Sequence, residues 1–469
     1  MEVLHISAEC FPVAKVGGLA DVVGALPKYQ NNLGASAKVI MPFYLNKFKK
    51  NRKFDLEFES NLALGDKNYT FQILKIKAKL GFPLFLVKIP ELLDRENVYG
   101  YDDDTERFLA FQIAVLDWVL QNKKKPDLVH FHDNHTGFIP FLMSHTKKYK
   151  ALKEIPTVLT IHNAQYQGQF EYDKLHLIPE FDKEHIGLLD WSGQINPLAT
   201  AIKCAWKITT VSPNYLEELS HHANGLENLL AHEKQKSLGV LNGIDTKVWN
   251  PETDNMLEKN YALSNVIFGK KFNKKLLCKQ FNLDPEKPLF SFIGRLVYEK
   301  GADLFPEAFY KTLLKHDINI LVLGSGNPET ENQLKTLTTT FNDKYNVYIG
   351  YNEVLAHQIY AASDFLLMPS RVEPCGLNQM YALRYGTIPI VRRIGGLKDT
   401  VIDIGDEGGF GICHNQVSVK DIIYSIDRAV EFYKNQKEFK KVRRNCMKID
   451  HSWDKSAKEY LSLYKSLIN

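Results

Sequence analysis

Residues 3–24 read VLHISAECFPVAKVGGLADVVG and join an apolar run to a glycine pair and a helical pattern. The run Val3–Ser7 predicts a buried strand, and the loop after it ends in Gly17-Gly18, where a helix is expected to begin. Adjacent glycines let backbone N–H groups approach an anion, and a helix N-terminus favours negative charge. The spacing is not G-x-G-x-x-G and no acidic residue ends the next strand, which argues against a dehydrogenase-like dinucleotide site.

The same alternation of strand and helix continues through all 469 residues, and this length favours two domains. Apolar, β-branched runs predict parallel strands, whereas the spacing of Phe108, Phe111, Val115 and Val119 predicts a helix over Glu106–Leu120. The predicted strands are Val3–Ser7, Lys38–Met41, Leu84–Ile89, Leu128–His132, Thr157–Ile161, Ile208–Val211, Leu289–Ile293, Ile318–Leu323, Val347–Gly350, Phe365–Met368 and Ile388–Val391. We therefore expect an α/β protein with two Rossmann-like domains, 1–242 and 243–451, facing an interdomain cleft and hinged near 241–245.

Composition and charge exclude several other classes of protein. The net charge of +4 is small, and the lysine runs at 47–53, 123–125 and 270–275 are typical of solvated faces rather than of a nucleic-acid site. The six cysteines form no C-x-x-C pair, which argues against zinc and a disulfide framework. The start of the chain does not resemble a signal peptide and no apolar stretch is long enough to span a bilayer, so we expect a cytoplasmic protein without membrane partners.

Two loops of the second half carry the residues best suited to a diphosphate. Arg295 and Lys300 follow the strand Leu289–Ile293, and a guanidinium and an ammonium in one strand-to-helix loop could reach the same diphosphate. The loop after Phe365–Met368 places Glu373 before Cys375, Gly376, Leu377 and Asn378, where free N–H groups precede a helix predicted at Met380–Tyr385. The alternatives are ordinary charges at a helix start for the first loop and a capping glutamate for the second.

Polar clusters also follow two strands of the first half. One is the segment 130–135, HFHDNH, and the other is the segment 162–168, HNAQYQG. Three histidines and an aspartate could hold a metal, but no carboxylate-rich partner motif accompanies them. Amides, imidazoles and a tyrosine suit carbohydrate hydroxyls better, so we predict no metal.

Together these stretches resemble bacterial glycogen synthases and plant starch synthases nearly from end to end. The most specific parts are K-x-G-G-L-A-D-V at 15–22 and Glu373-Pro-Cys-Gly. The resemblance also includes Lys15–Pro27, Tyr99–Phe108, His130–His135, Thr160–Phe170, Thr209–Tyr215, Leu241–Asp254, Gly294–Gly301, Gly324–Pro328, Gly350-Tyr351, Pro369–Gln379 and Gly386–Asp403. It implies the GT-B fold and retaining transfer of glucose from ADP-glucose or UDP-glucose to the non-reducing end of an α-1,4-glucan, without a metal or other cofactor.

The resemblance also implies a role for each candidate site residue. Glu373 lies beside the donor glucose, Arg295 and Lys300 neutralise the diphosphate, His162 contacts the glucose, and Asp21 completes the catalytic set. The implied donor-binding residues are Lys15, Gly17, Gly18, Asn242, Tyr351 as a nucleobase stack, Cys375, Gly376, Leu377 and Asn378. The implied acceptor-side residues are Tyr99, Asp133, His135 and Asn163.

At two positions the sequence departs from the pattern of the resembling family, and its last residues predict a further helix. Asn378 stands where many relatives have threonine, and Asn134 stands where tryptophan is common, which could alter acceptor contacts. Apolar residues at helical spacing predict a final helix over Ser452–Leu467, after a separate basic helix over Lys437–Ile449. In the resembling family the final helix returns to the first domain, so 452–469 is expected to join residues 1–242.

Two other functions stay open at this point. One is a retaining glycosyltransferase of the same fold with a small sugar acceptor, and the other is a catalytically silent glucan-binding protein. The presence of Lys15, Arg295, Lys300 and Glu373 together argues against the silent protein. The sequence does not choose between ADP-glucose and UDP-glucose and gives no oligomeric state.

Overall fold

A computed structural model describes residues 1–46, 48 and 52–468. The described chain divides into two compact units, Met1–Gly243 with Trp453–Asn469, and Ile244–Ser452. Of the lysine run at 47–53, Lys47, Lys49 and Lys50 lie outside the described residues. Within the described ranges, no helix is both long and apolar enough to cross a membrane.

The first unit is built on a twisted sheet whose central strands are parallel. Its described strands are β1 (Glu2–Ile6), β2 (Ser36–Pro42), β3 (Phe54–Leu64), β4 (Lys67–Ile76), β5 (Leu84–Lys88), β6 (Leu128–His132), β7 (Thr157–Ile161), β8 (Asp190–Trp191), β9 (Gln194–Ile195), β10 (Lys207–Thr210) and β11 (Ser237–Gly239). The order in the sheet is β11-β10-β7-β6-β1-β2-β5-β4-β3, and β8 pairs with β9 apart from it. The strand order reverses between β1 and β6, so the loops after these strands meet at a switch point.

Helices cover this sheet. They are α1 (Gly18–Asn32), α2 (Asp104–Gln121), α3 (Ile139–His145), α4 (Ile186–Leu189), α5 (Pro197–Cys204), α6 (Pro213–Leu219) and α7 (Glu227–His232). Short 3₁₀ turns lie at Asn134–Thr136, Lys150–Leu152, Tyr172–Leu177, Lys183–His185 and Lys234–Lys236. The antiparallel hairpin β3–β4 was not predicted, and it adds an antiparallel edge to the parallel sheet.

The second unit is a doubly wound α/β sandwich. Its described strands are β12 (Leu289–Ile293), β13 (Asn319–Gly324), β14 (Tyr345–Ile349), β15 (Phe365–Met368), β16 (Ile388–Arg392) and β17 (Ile412–His414), and all their pairings are parallel. The order β14-β13-β12-β15-β16-β17 is that of the dinucleotide-binding folds, with its switch point between β12 and β15. Buried apolar side chains such as Phe290, Phe305 and Ile390 fill the core between sheet and helices.

The helices of the second unit lie on both faces of its sheet. They are α8 (Val266–Gln280), α9 (Phe305–Lys315), α10 (Pro328–Thr340), α11 (Glu353–Ala362), α12 (Asn378–Arg384), α13 (Gly395–Thr400), α14 (Val419–Lys434) and α15 (Gln436–Lys448). Short 3₁₀ turns lie at Leu263–Asn265, Tyr298–Lys300 and Ala302–Leu304.

The final helix, α16 (Trp453–Ile468), belongs to the first unit. Its buried face includes Trp453, Tyr460 and Tyr464, and it shares a core with Val3 of β1 and Leu26 of α1. The first unit is therefore built from two separate stretches of chain, with the second unit inserted between them.

The lysine run at 270–275 is not the solvated face that its composition indicates. Lys270 is only 1% exposed and Lys274 only 6%. The ammonium of Lys270 donates to the carbonyls of Tyr360 and Tyr385, and Lys274 pairs with the buried carboxylate of Asp364 at 2.7 Å. The expectation fails for these two lysines because one helix face at this spacing packs on the domain core, where each ammonium finds buried oxygen partners.

Candidate functional site

Glu373 and Lys300 meet at the switch point of the second unit. Lys300 follows β12 and Glu373 follows β15, and these strands are neighbours, so their loops leave the same edge of the sheet. The carboxylate oxygen Oε2 of Glu373 accepts from the ammonium of Lys300 at 2.6 Å and from the hydroxyl of Ser370 at 2.8 Å. Glu373 is buried, and this pairing offsets the cost of removing its charge from water.

Tight backbone packing fixes the loop that carries Glu373. A Cβ atom built on Gly396 would lie 2.2 Å from the carbonyl oxygen of Cys375, and one on Gly395 would lie 2.0 Å from that of Glu373. Gly376 itself has φ +71°, in the left-handed region that favours glycine. Only glycine at 395 and 396 leaves room for this loop, which explains their place in the pattern that resembles glycogen synthases.

The other candidate residues of the second unit lie on the loops at the same edge of its sheet. Arg295 is exposed and makes no hydrogen bond or ion pair with any described residue. Tyr351 follows β14, is 75% exposed and approaches Glu353 through its hydroxyl. Cys375 is buried and Leu377 is half-buried ahead of α12, while the side-chain amide of Asn378 donates to the carbonyl of Ile293 at 2.7 Å. Asn378 thus ties the start of α12 to the end of β12.

In the first unit, the loop after β1 is organised by Glu9, a residue that sequence reasoning missed. Its carboxylate oxygen Oε2 accepts from the backbone N–H groups of Val16 at 2.5 Å and Gly17 at 3.1 Å, and Oε1 accepts from the hydroxyl of Tyr99 at 2.7 Å. Burial raises the pKa of Glu9. The available signal was a carboxylate in the loop between β1 and the glycine pair, seven residues before Val16, whose backbone N–H it accepts.

The space beside the α-carbons of Gly17 and Gly18 is open. A Cβ atom built on Gly17 or Gly18 would meet no heavy atom within 4 Å. Lys15 pairs with Asp21 at 2.8 Å beside this loop. No contact within the described residues therefore requires glycine at these two positions, and a ligand could approach the backbone there.

Asp133 joins the loops after β6 and β7. It has φ +57°, and its oxygen Oδ1 accepts from the backbone N–H groups of His162 at 2.7 Å and Asn163 at 3.4 Å. Burial raises the pKa of Asp133 to about 7, because the two N–H donors offset only part of the lost hydration and the nearby carboxylate of Glu9 raises the pKa further. The ring of His135 stacks on Tyr99 with 4.4 Å between centroids, and burial lowers the pKa of His135 to about 4.

Two asparagines of the first unit hold buried polar atoms. The oxygens Oδ1 of Asn134 and Asn242 are buried and accept no hydrogen bond from any described residue. Asn242 was predicted as a donor-binding residue, and an unpaired buried oxygen there is suited to a ligand that donates. The amide of Asn134 packs against Gly168, where a Cβ atom would lie 2.5 Å from its nitrogen. Its effect on acceptor contacts stays a prediction.

Two groups of side chains within the described ranges have the spacing of metal ligands. His5, His130 and His132 are buried, whereas Asp182, Glu184 and His185 lie near the surface. Both ring nitrogens of each buried histidine lie within hydrogen-bond distance of another polar atom or ring in the first unit. Hydrogen bonding thus accounts for this cluster without a metal.

Comparison with known proteins identifies the family. The family model described as starch synthase catalytic domain matches residues 2–232, and that described as glycosyl transferases group 1 matches residues 273–445. A glycogen synthase of Flavobacterium johnsoniae is 57% identical, covering 100% of this chain and 99% of that protein. The chain belongs to the glycogen and starch synthase family. It is therefore a glycosyltransferase.

Further members of the glycogen and starch synthase family match over the full length as well. A glycogen synthase of Bacillus cereus is 40% identical, with 100% of both chains covered. The solved catalytic domain of starch synthase IV from Arabidopsis thaliana, bound to ADP and acarbose, superposes with a TM-score of 0.91 at 34% identity, covering 100% of this chain and 99% of that one. The predicted GT-B class with two Rossmann-like domains is thereby confirmed.

Proposed function

We propose that this protein is a glycogen synthase that transfers glucose from ADP-glucose to the non-reducing end of an α-1,4-glucan with retention of configuration. The observation that carries the proposal is the 57% identity, over the whole chain, to the glycogen synthase of Flavobacterium johnsoniae. The ion pair between the buried carboxylate of Glu373 and the partly exposed Lys300 supports it, since a silent binding protein needs no such pair. ADP is the nucleotide bound to the Arabidopsis starch synthase IV domain, which favours ADP-glucose over UDP-glucose.

On the donor side, cations and backbone N–H groups would hold the diphosphate. Arg295, which has no partner among the described residues, is available for a bidentate contact, and Lys300 can turn from Glu373 to a phosphate oxygen. Lys15, Gly17 and Gly18 would bound the phosphates from the first unit, where open space lies above the glycines. The residues proposed to complete donor binding are Asn242, Tyr351 as the nucleobase stack, Cys375, Gly376, Leu377 and Asn378.

The difficult step is the departure of ADP from C1 of glucose. As the bond from C1 to the phosphate oxygen breaks, negative charge builds on the diphosphate and positive charge on the sugar ring. Arg295 and Lys300 would stabilise the first charge and the carboxylate of Glu373 the second. The acceptor hydroxyl then bonds to C1 on the face that ADP leaves, and its proton passes to the departing phosphate oxygen.

The acceptor and sugar contacts are assigned to the first unit. We propose that Tyr99, Asp133, His135 and Asn163 form the acceptor side, with His162 against the glucose and Asp21 beside Lys15. Asp133 would act through the loop that it holds, because its carboxylate accepts the backbone N–H of His162. The cations supply what a metal supplies in other transferases, so we propose a reaction without metal or other cofactor, in the cytoplasm.

The experiment is a transfer assay with radiolabelled ADP-glucose and UDP-glucose, each offered to glycogen and to small sugar phosphates. We expect label in glycogen from ADP-glucose, with lower kcat/KM from UDP-glucose. Label only in a small sugar would establish the alternative glycosyltransferase. Glycogen binding without transfer from either donor would establish a silent glucan-binding protein.

A further inference from the structure

A continuous series of hydrogen bonds runs through the core of the first unit and begins at a carbonyl. The carbonyl oxygen of Leu159 can only accept, so the hydroxyl of Thr209, 3.1 Å away, must donate to it. Thr209 has no second proton, so Thr160 donates to Thr209 at 2.6 Å. Thr160 in turn accepts from Nε2 of His130 at 2.6 Å, which places the proton of His130 on Nε2.

The four histidines of this series are neutral. Burial lowers the pKa of His5 to about 4 and that of His162 to about 3. Burial, together with the neighbouring imidazoles, holds the pKa values of His130 and His132 well below the ordinary value. Each ring therefore carries one N–H and one acceptor nitrogen at neutral pH.

The next member of the series, Tyr464, lies on the C-terminal helix α16. The nitrogen Nδ1 of His130 is an acceptor, so the hydroxyl of Tyr464 donates to it at 2.6 Å. Tyr464 can then only accept, and it does so from the amide nitrogen of Gln30 at 3.1 Å. The amide oxygen of Gln30 is left to accept from Nε2 of His5 at 2.8 Å.

From His5 the series continues through His132 to His162, the residue predicted to contact the sugar. With its proton on Nε2, His5 accepts at Nδ1 from Nε2 of His132, 3.3 Å away. His132 then accepts at Nδ1 from Nε2 of His162, 3.0 Å away. One tautomer of His162 follows, with the proton on Nε2 and a lone pair on Nδ1. That nitrogen makes no hydrogen bond with any described residue, and His162 keeps 8% of its surface exposed.

We infer that this one-directional hydrogen-bond chain, from Leu159 through Tyr464 and Gln30 to His162, fixes the tautomer of His162 for glucose transfer. Tyr464 and Gln30 are thereby positioning residues, although neither belongs to the predicted site. The catalytic consequence rests on the proposed function: Nδ1 of His162 presents a lone pair to a hydroxyl of the donor glucose. In the other tautomer Nδ1 of His162 would carry the proton, and the sugar hydroxyl would have to accept a hydrogen bond from it instead of donating one.

Tyr464→Phe removes the hydroxyl that joins His130 to Gln30 within the hydrogen-bond series. Gln30 then loses the acceptor that orients its amide, so the amide can rotate and the three histidines beyond it can exchange tautomers. Tyr460→Phe is the matched control, because Tyr460 lies on the same helix, is fully buried, and is not a member of the chain. Gln30→Met is a second variant that interrupts the chain without changing α16.

The experiment uses the full-length protein with ¹⁵N-labelled histidine. NMR correlations between ring nitrogens and carbon-bound protons report each tautomer, and the signals of His162 are assigned by their loss in His162→Gln. We expect the Nε2–H tautomer in the wild type and in Tyr460→Phe, and a mixture of tautomers in Tyr464→Phe and Gln30→Met. We expect kcat/KM for ADP-glucose to fall roughly 5- to 30-fold in the last two, as for one misplaced hydrogen bond, and to change less than about twofold in Tyr460→Phe.

Several outcomes would overturn the inference. They are the Nδ1–H tautomer of His162 in the wild type, unchanged tautomers in both Tyr464→Phe and Gln30→Met, or binding of Zn²⁺ by His5, His130 and His132. A merely structural role of Tyr464 would lower stability and leave the tautomer as it is. Because the NMR measurement needs no substrate, failure of glucose transfer would contradict the proposed function alone.

Discussion

In both units the candidate site residues lie in loops at the carboxyl ends of parallel strands, but the buried carboxylates of the two units have different surroundings. In the second unit the buried carboxylate of Glu373 is paired with Lys300 at 2.6 Å. In the first unit Asp133 is buried beside neutral imidazoles and backbone N–H groups, and its pKa rises to about 7. Burial that is only partly offset by hydrogen bonds raises the pKa of Asp133, whereas the carboxylate of Glu373 has an ammonium within ion-pair distance.

This difference separates two kinds of recognition. The first unit offers neutral imidazoles, amides and a carboxyl group whose pKa is about 7. Such groups suit sugar hydroxyls, which need directed hydrogen bonds and little charge. The ion pair and the exposed guanidinium of Arg295 suit a diphosphate whose charge grows during reaction. The following predictions test the contrast, beginning with the charged unit.

Removing either cation of the second unit should have the largest effect on activity. Arg295→Ala and Lys300→Ala should each lower kcat by at least roughly 100-fold, because a group that stabilises the leaving diphosphate is lost. Lys311→Ala, which removes an exposed lysine paired with Glu307 on α9, is the control and should keep normal turnover. Near-normal kcat in a folded Arg295→Ala or Lys300→Ala would remove that residue from the leaving-group site.

Asp133→Asn should change how stability depends on pH. The folded-state pKa of Asp133 is about 7 against an ordinary 3.8, so between these values the folded state binds more protons and this group lowers stability as pH rises. The asparagine keeps an acceptor oxygen and has no such titration. Between pH 5 and pH 8 its unfolding free energy should gain roughly 2–3 kcal/mol relative to the wild type.

Denaturant unfolding of both proteins at the two pH values measures this gain. Asp66→Asn, at the exposed turn between β3 and β4, is the control and should follow the wild type. A constant difference between Asp133→Asn and the wild type at both pH values would mean that Asp133 is charged throughout.

Tyr351→Ala should weaken donor binding more than turnover. Base–aromatic stacking contributes about 1–3 kcal/mol, which corresponds to a roughly 5- to 150-fold rise in KM for ADP-glucose. Because Tyr351 is 75% exposed, the fold should not suffer. Steady-state kinetics decide the matter, with the exposed Tyr424→Ala as control, and an unchanged KM would place the nucleobase elsewhere.

Chelation should have the smallest effect. If the cations of the second unit carry the work of a metal, glucose transfer should continue unchanged in excess EDTA. Loss of activity that Mg²⁺ or Mn²⁺ restores would contradict the proposal and return attention to the buried histidines of the first unit.

Continuous apolar runs made much of the fold predictable. The strands Leu128–His132, Thr157–Ile161, Leu289–Ile293 and Phe365–Met368 agree with the structure residue for residue. Strands covered on both faces form nearly continuous hydrophobic runs, and the few polar side chains within these runs, such as His130, His132 and Ser291, are buried as well. The hairpin β3–β4 was missed although Phe54, Leu56, Phe58, Leu62 and Leu64 recur at even positions. Its many charged residues conceal that alternation.

Contacts between distant residues could not be predicted in the same way. The strand-end rule placed Glu373 and Lys300 in loops, but their direct pairing joins two residues that lie 73 positions apart along the chain. Glu9 bonds to Tyr99, and His130 bonds to Tyr464 across 334 residues. No local pattern specifies such partners, because the alignment of whole strands and helices brings them together.

The inserted arrangement of the units has a consequence for biosynthesis. Ribosomes release Met1 to Gly243 long before Trp453, so the first unit emerges without the helix that closes its core over Val3 and Leu26. The second unit is complete in the nascent chain before the first one is. The helix that carries Tyr464 therefore emerges only after the whole second unit, and the core of the first unit can close only from that point on.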